Sequence, residues 1–72
     1  MTDVTFHLDE TLEHGVREAI RDKLLAQDGI MAAASEDATP HLIIVEYDPD
    51  LIDPTSILEM LKKHDIHAER LG

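Results

Sequence analysis

Five histidines and sixteen carboxylates are the groups in this 72-residue chain that could hold a metal ion, and it has no cysteine. Imidazole nitrogen and carboxylate oxygen suit zinc, nickel or copper(II), whereas copper(I) is soft and selects sulfur. The candidate metal set is Glu13, His14, His64, Asp65 and His67. Met1, Met31 and Met60 offer only weak thioether sulfur, and their scatter suits packing. The same histidines also read as ordinary surface residues, since no two of them sit at i,i+4 on one helix face.

Nucleophilic catalysis would have to rest on Thr2, Thr5, Thr11, Ser35, Thr39, Thr55 or Ser56. Thr55 and Ser56 fall in the first turn of an expected helix, where hydroxyls cap backbone N–H groups. Three glycines build no phosphate cradle. Asp9-Glu10, Glu36-Asp37 and Asp48/Asp50 read as solvated turn charges, because two carboxylates need a shared cleft before they do acid–base work. The chain is expected not to be an enzyme and to carry no cofactor beyond a possible divalent metal.

The elements that position these residues follow from periodicity. Val4, Phe6 and Leu8 alternate with Thr5, His7 and Asp9, which predicts a half-buried strand. Leu12, Val16, Ala19, Ile20, Leu24 and Gln27 predict a helix stripe, with Arg17, Glu18, Arg21 and Asp22 on the far side. Thr11 is the expected N-cap and Asp28-Gly29 the expected helix end. Ile30 to Ser35 reads as a second strand, Glu36 to Pro40 as a loop, and Leu42 to Tyr47 as a strand rich in β-branched residues. Asp53 as N-cap, Pro54 at the first helical position and the Ile57, Leu58, Leu61 stripe predict a second helix. Ile66 to Leu71 closes the chain as a strand.

This order, β-α-β-β-α-β, predicts an α+β ferredoxin-like sandwich of antiparallel strands in the order 4-1-3-2, with both helices on one face. The end of the first strand and the start of the fourth then meet at one end of the sheet, which brings Glu13 and His14 toward His64, Asp65 and His67. If strands 1 and 4 pair with residue numbers summing to 76, His7 faces Glu69 and His67 faces Asp9, ordinary cross-strand charge pairs. Acylphosphatases share the architecture, but a match would require a glycine-flanked arginine loop and an asparagine. This chain has no asparagine.

Two landmarks, Gln27-Asp28-Gly29-Ile30 and Val45-Glu46-Tyr47-Asp48-Pro49, together with the element order, make the chain resemble the heavy-metal-associated (HMA) domain family of the copper-chaperone type. The resemblance implies one such domain over residues 1–72 and a metal-handling or transport context. In that family two cysteines open the first helix and hold the metal; counted back from Gly29, their positions fall at Glu13 and Val16. The resemblance therefore implies a degenerate member, with the scaffold kept and the copper(I) site lost.

Sixteen acidic against six basic residues give a formal net charge of -10. That balance repels nucleic acid and anionic membranes, and Phe6 and Tyr47 alone make no stacking platform for single strands. Neither a basic leader nor a membrane-length apolar run is present, so a cytoplasmic address is expected. The remaining class is a binding module with a protein partner or a weak homodimer. Its expected surface is Met31, Ala32 and Ala34 on the edge strand with Leu42 and Ile44 on the helix-free face.

Overall fold

The computed structural model describes residues 2–71. Its elements run β1 (Thr2–Leu8), α1 (His14–Leu25), β2 (Ile30–Glu36), β3 (Thr39–Tyr47), α2 (Pro54–Lys63) and β4 (Ala68–Arg70). The strands form one sheet in the order β2-β3-β1-β4, with every pairing antiparallel. This is the expected ferredoxin-like order 4-1-3-2 read from the other edge.

Period-2 alternation sets the sheet's two faces. Val4, Phe6 and Leu8 of β1 are buried with Ile43, Val45 and Tyr47 of β3, and these rows meet Ile20, Leu24, Ile57, Leu61 and Ile66 in the core. The helix-free face takes the residues between them. The β1–β4 register is the expected one: His7 pairs with Glu69, and the Asp9 N–H donates to the His67 carbonyl at 2.8 Å. Helix α2 also starts as expected, the Asp53 carboxylate accepting from the Ser56 N–H at 2.7 Å with Pro54 in the first turn. Those hydrogen bonds hold the Asp53 carboxyl below its ordinary range.

Helix α1 differs from its sequence pattern. Its N-cap is Glu13 rather than Thr11, with no side-chain cap bond. Its buried residues are Arg17, Ile20 and Leu24, while Val16 and Ala19 are exposed, so the helix is rotated from the hydropathy stripe. Arg17 takes the buried place instead, 5% exposed, with its head bonded to the Leu12 carbonyl and to Asp37, as a long side chain can bury its stem while its charge finds polar partners. The helix ends at Leu25 with Ala26 as C-cap, earlier than Gly29. Gly29 instead supplies a φ of 95° at the entry to β2, against Leu51 and Ile52.

The expected loop over 36–40 is a tight hairpin, because β2 runs through Glu36 and β3 begins at Thr39. The closing strand is shorter than expected, three residues from Ala68. The edge strand β2 is also blunted, contrary to its bare sequence. Register shifts between Ile30 and Ala32 and between Ala34 and Glu36 bend it, and Arg21 Nε donates to the Ala33 carbonyl at 3.0 Å.

Candidate functional site

The polar groups gather at the end of the sheet where β1 leaves for α1, β2 turns into β3, and α2 returns to β4. Arg17 is central there. Only 5% exposed, it donates from Nε to the Leu12 carbonyl at 3.2 Å and from a terminal nitrogen to Asp37 Oδ1. One guanidinium thus ties the β1–α1 connection to the hairpin turn. Its fork of donors suits that task, since one arm can take a carboxylate while another takes a backbone carbonyl.

His14 joins the same carboxylate. Its Nδ1 lies 2.9 Å from Asp37 Oδ1 and its Nε2 lies 2.9 Å from Glu18 Oε1. Both neighbours accept, so the geometry is that of an imidazolium donating from both nitrogens. The Asp37 hydrogen bond, followed by the charges of Asp37 and Glu18, raises the His14 pKa above its ordinary value. In return the His14 and Arg17 hydrogen bonds lower that of Asp37. With both ring nitrogens donating, His14 has no lone pair left for a metal.

A second pair closes the other side. Glu10 accepts from both the ring Nδ1 and the backbone N–H of His67. The ring hydrogen bond lowers the Glu10 pKa and, with the nearby carboxylate charges, raises that of His67. Between these clusters His41 donates from Nδ1 to the Leu8 carbonyl at 3.0 Å, since a carbonyl can only accept. Its Nε2 lies 3.0 Å from Thr11 Oγ1, and its ring stacks on His7 with centroids 5.8 Å apart.

The five candidate metal residues are therefore distributed rather than convergent. His14 turns toward the hairpin, His67 toward Glu10, and Glu13 is the α1 N-cap. His64 is the α2 C-cap, and Asp65 follows it with a φ of 59°. No group of three His, Cys, Asp or Glu side chains able to hold a metal ion occurs among the described residues. Of the methionines, Met31 is exposed, Met60 packs against the core, and Met1 lies outside the described residues.

Glu13 and Val16 are both exposed. Val16 lines an apolar groove of about 250 Å³ with Leu12, Ala19, Ile20 and Ile66, rimmed by Lys23, His64 and Asp65. Of the two positions that the resemblance matches to thiolates, Val16 lines this groove and Glu13 is an exposed carboxylate outside its lining. On the opposite layer the expected partner residues stand open in varying degree: Met31 (56% exposed), Ile44 (46%) and Ala34 are exposed, and Ala32 and Leu42 are half-buried. Sequence reading placed Arg17 on the outer side of α1, left Glu10 and Asp37 among the turn charges and Thr11 as an N-cap, and did not join His41 to them. A hint was available in the 17, 20, 24 spacing, which places Arg17 on a stripe with Ile20 and Leu24 as readily as Val16.

No protein-family model matches the sequence, and no curated protein matches it. Solved structures do. A copper binding domain from HMA7, a P-type ATPase, superposes with a TM-score of 0.89 at 18% identity, over 100% of this chain and 96% of that one. The yeast copper transporter domain Ccc2a gives 0.85 at 20% identity, over 97% and 94%. The CopZ metallochaperone gives 0.84 at 12% identity, over 94% and 100%. At these identities the likeness establishes a shared fold, the ferredoxin-like fold of heavy-metal-associated domains, and this chain carries that fold without cysteine.

Proposed function

We propose that residues 1–72 form one HMA-like domain that works by associating with another protein, in a metal-handling or transport context and without copper(I) chemistry. One observation carries the reading: the positions matched to the two thiolates hold a carboxylate and an exposed valine beside an apolar groove. Copper(I) needs soft sulfur, and neither side chain supplies it. Nearby, Arg17 and His14 tie the start of α1 to Asp37, and histidines paired with carboxylates are stabilised in the charged form that metals do not use. The known folds it resembles belong to copper-binding proteins, which supports the context.

Competition with bicinchoninate tests the copper statement. The native chain should leave the coloured copper(I) complex intact, and stoichiometric removal of copper would overturn the proposal. The variant Glu13→Cys with Val16→Cys should take copper up. Both positions are exposed, so the two changes should leave the fold unaltered by circular dichroism.

A further inference from the structure

We infer that the helix-free face of the sheet docks a protein segment presenting Lys or Arg around an apolar residue; this rests on the association reading above and names the partner's chemistry. The register lays out that face in three rows. Ala32, Glu46 and Asp3 form one row across β2, β3 and β1. Ala34, Ile44 and Thr5 form the next, extended toward β4 by Leu71, whose N–H donates to the Thr5 carbonyl at 2.9 Å. Leu42, His7 and Glu69 form the third.

The middle row is apolar and open, with Ile44 46% and Leu71 52% exposed. Beside it, Ala34, Leu42 and Ile44 line a shallow pocket of about 230 Å³ together with Glu36. Acid flanks both sides. Asp3 and Glu46 stand directly opposite each other, a like-charge cross-strand pair that costs stability, and neither has an ion-pair partner among the described residues. A partner cation between them would relieve that repulsion.

Every Lys and Arg lies elsewhere: Arg17, Arg21 and Lys23 on α1, Lys62 and Lys63 on α2, and Arg70 in the core-facing register opposite Phe6. The face therefore pairs an apolar centre with an acidic rim that no Lys or Arg accompanies, His7 being a basic neighbour, opposite Glu69. Nucleic acid and anionic lipid are repelled by that rim. A second copy placed face to face would set the same carboxylates against themselves, since a two-fold interface is self-complementary only if its charges are. Strand addition along β2 meets the bulges and the Arg21–Ala33 bond. Charge complementarity leaves a basic protein surface with an apolar anchor.

Amide NMR titration of the full chain tests this with synthetic amidated probes. The first has two leucines bracketed on each side by two arginines; the second replaces arginine by glutamate; the third replaces leucine by alanine. Only the first should shift the amides of Thr5, Ile44, Glu46 and Leu71 saturably. Asp3→Asn and Glu46→Gln should each weaken it about threefold in low salt, the scale of an exposed ion pair, and less in high salt. Ile44→Lys should abolish the shifts with its spectral dispersion intact. Equal binding of the glutamate probe to the same amides would overturn the basic-partner inference while leaving association through this face standing. Shifts confined to the helices, or binding of the chain to phosphatidylserine vesicles, would overturn the choice of face and partner together.

Discussion

Arg17→Met separates what the buried guanidinium does from what its stem does. Methionine keeps most of the apolar volume and removes both polar contacts, the one to the Leu12 carbonyl and the one to Asp37. Both bonds come from the charged guanidinium, and a bond to a charged group contributes about 1.5–3 kcal/mol where it is buried. Asp37 is largely solvated, so its bond adds only a surface-pair share of about 0–1 kcal/mol to that of the Leu12 carbonyl. The expected loss is about 2 kcal/mol, from a total of roughly 4–10 for a domain of this length. Thermal unfolding should therefore move down by roughly 10 °C. Arg17→Lys should recover part of the loss, one ammonium being unable to serve both acceptors with the same geometry. Asp37→Asn should cost less than Arg17→Met, because the amide oxygen still accepts and the site is open to water. Circular dichroism melts of the three variants decide the matter. A melting point for Arg17→Met within about 2 °C of the native protein would refute the argument, and so would an Asp37→Asn loss as large as its own.

The pH dependence follows from two opposed sets of groups. Glu10 and Asp37 are lowered from ordinary values of 4.5 and 3.8, so their contributions are complete above those values and vanish as pH falls through the folded ones. His14 and His67 are raised from 6.5, so theirs are complete below 6.5 and disappear as pH climbs through the folded values. Calorimetry should find maximal stability between about pH 4.5 and 6.5; a melting point rising steadily from pH 6 to about 8.5 would contradict the assignment, and His14→Gln with His67→Gln should flatten the alkaline decline. Gly15 and Gly29 should respond with opposite signs in urea unfolding. Gly15 has open space around a helical backbone, so Gly15→Ala should add about 0.5 kcal/mol. At Gly29 a Cβ would meet Leu51 and Ile52 at 2.9 Å on a backbone with φ 95°, so Gly29→Ala should remove about 2 kcal/mol.

β1, β3 and α2 were legible because each announces itself locally. Alternation over 4–8 and 43–47 can be satisfied by only one face, and Asp53-Pro54 places a cap beside a fixed φ. Topology made β1 and β4 neighbours; their register was supposed, and the pairing of His7 with Glu69 matches the supposition. Helix α1 was less legible because hydropathy places arginine outside, and only the folded neighbours show that Arg17 can lie inside. The candidate metal set failed to converge for a related reason. Chain order brings the right segments to one end of the sheet, but His14 has a competing acceptor in Asp37, more than twenty residues away. The hairpin that delivers it was read as a looser loop. Strand alternation placed Leu42 and Ile44 on the helix-free face directly, whereas the acidic pair of Asp3 and Glu46 beside them shows only in the register.

The strand order has a kinetic consequence. Only β2 and β3 are joined by a short turn, so theirs is the one pairing that can form early at small entropic cost. β1 must wait for β3 to be made before it has an edge to join. β4, drawn from the far end of the chain and held by three residue pairs, has to close over almost the full sequence. Folding is then ordered from one edge of the sheet to the other, and native-state hydrogen exchange should find the lowest opening energies at β4 and the highest in β3. The groups that His67 and Glu10 join are thus the last to be brought together and the first to part.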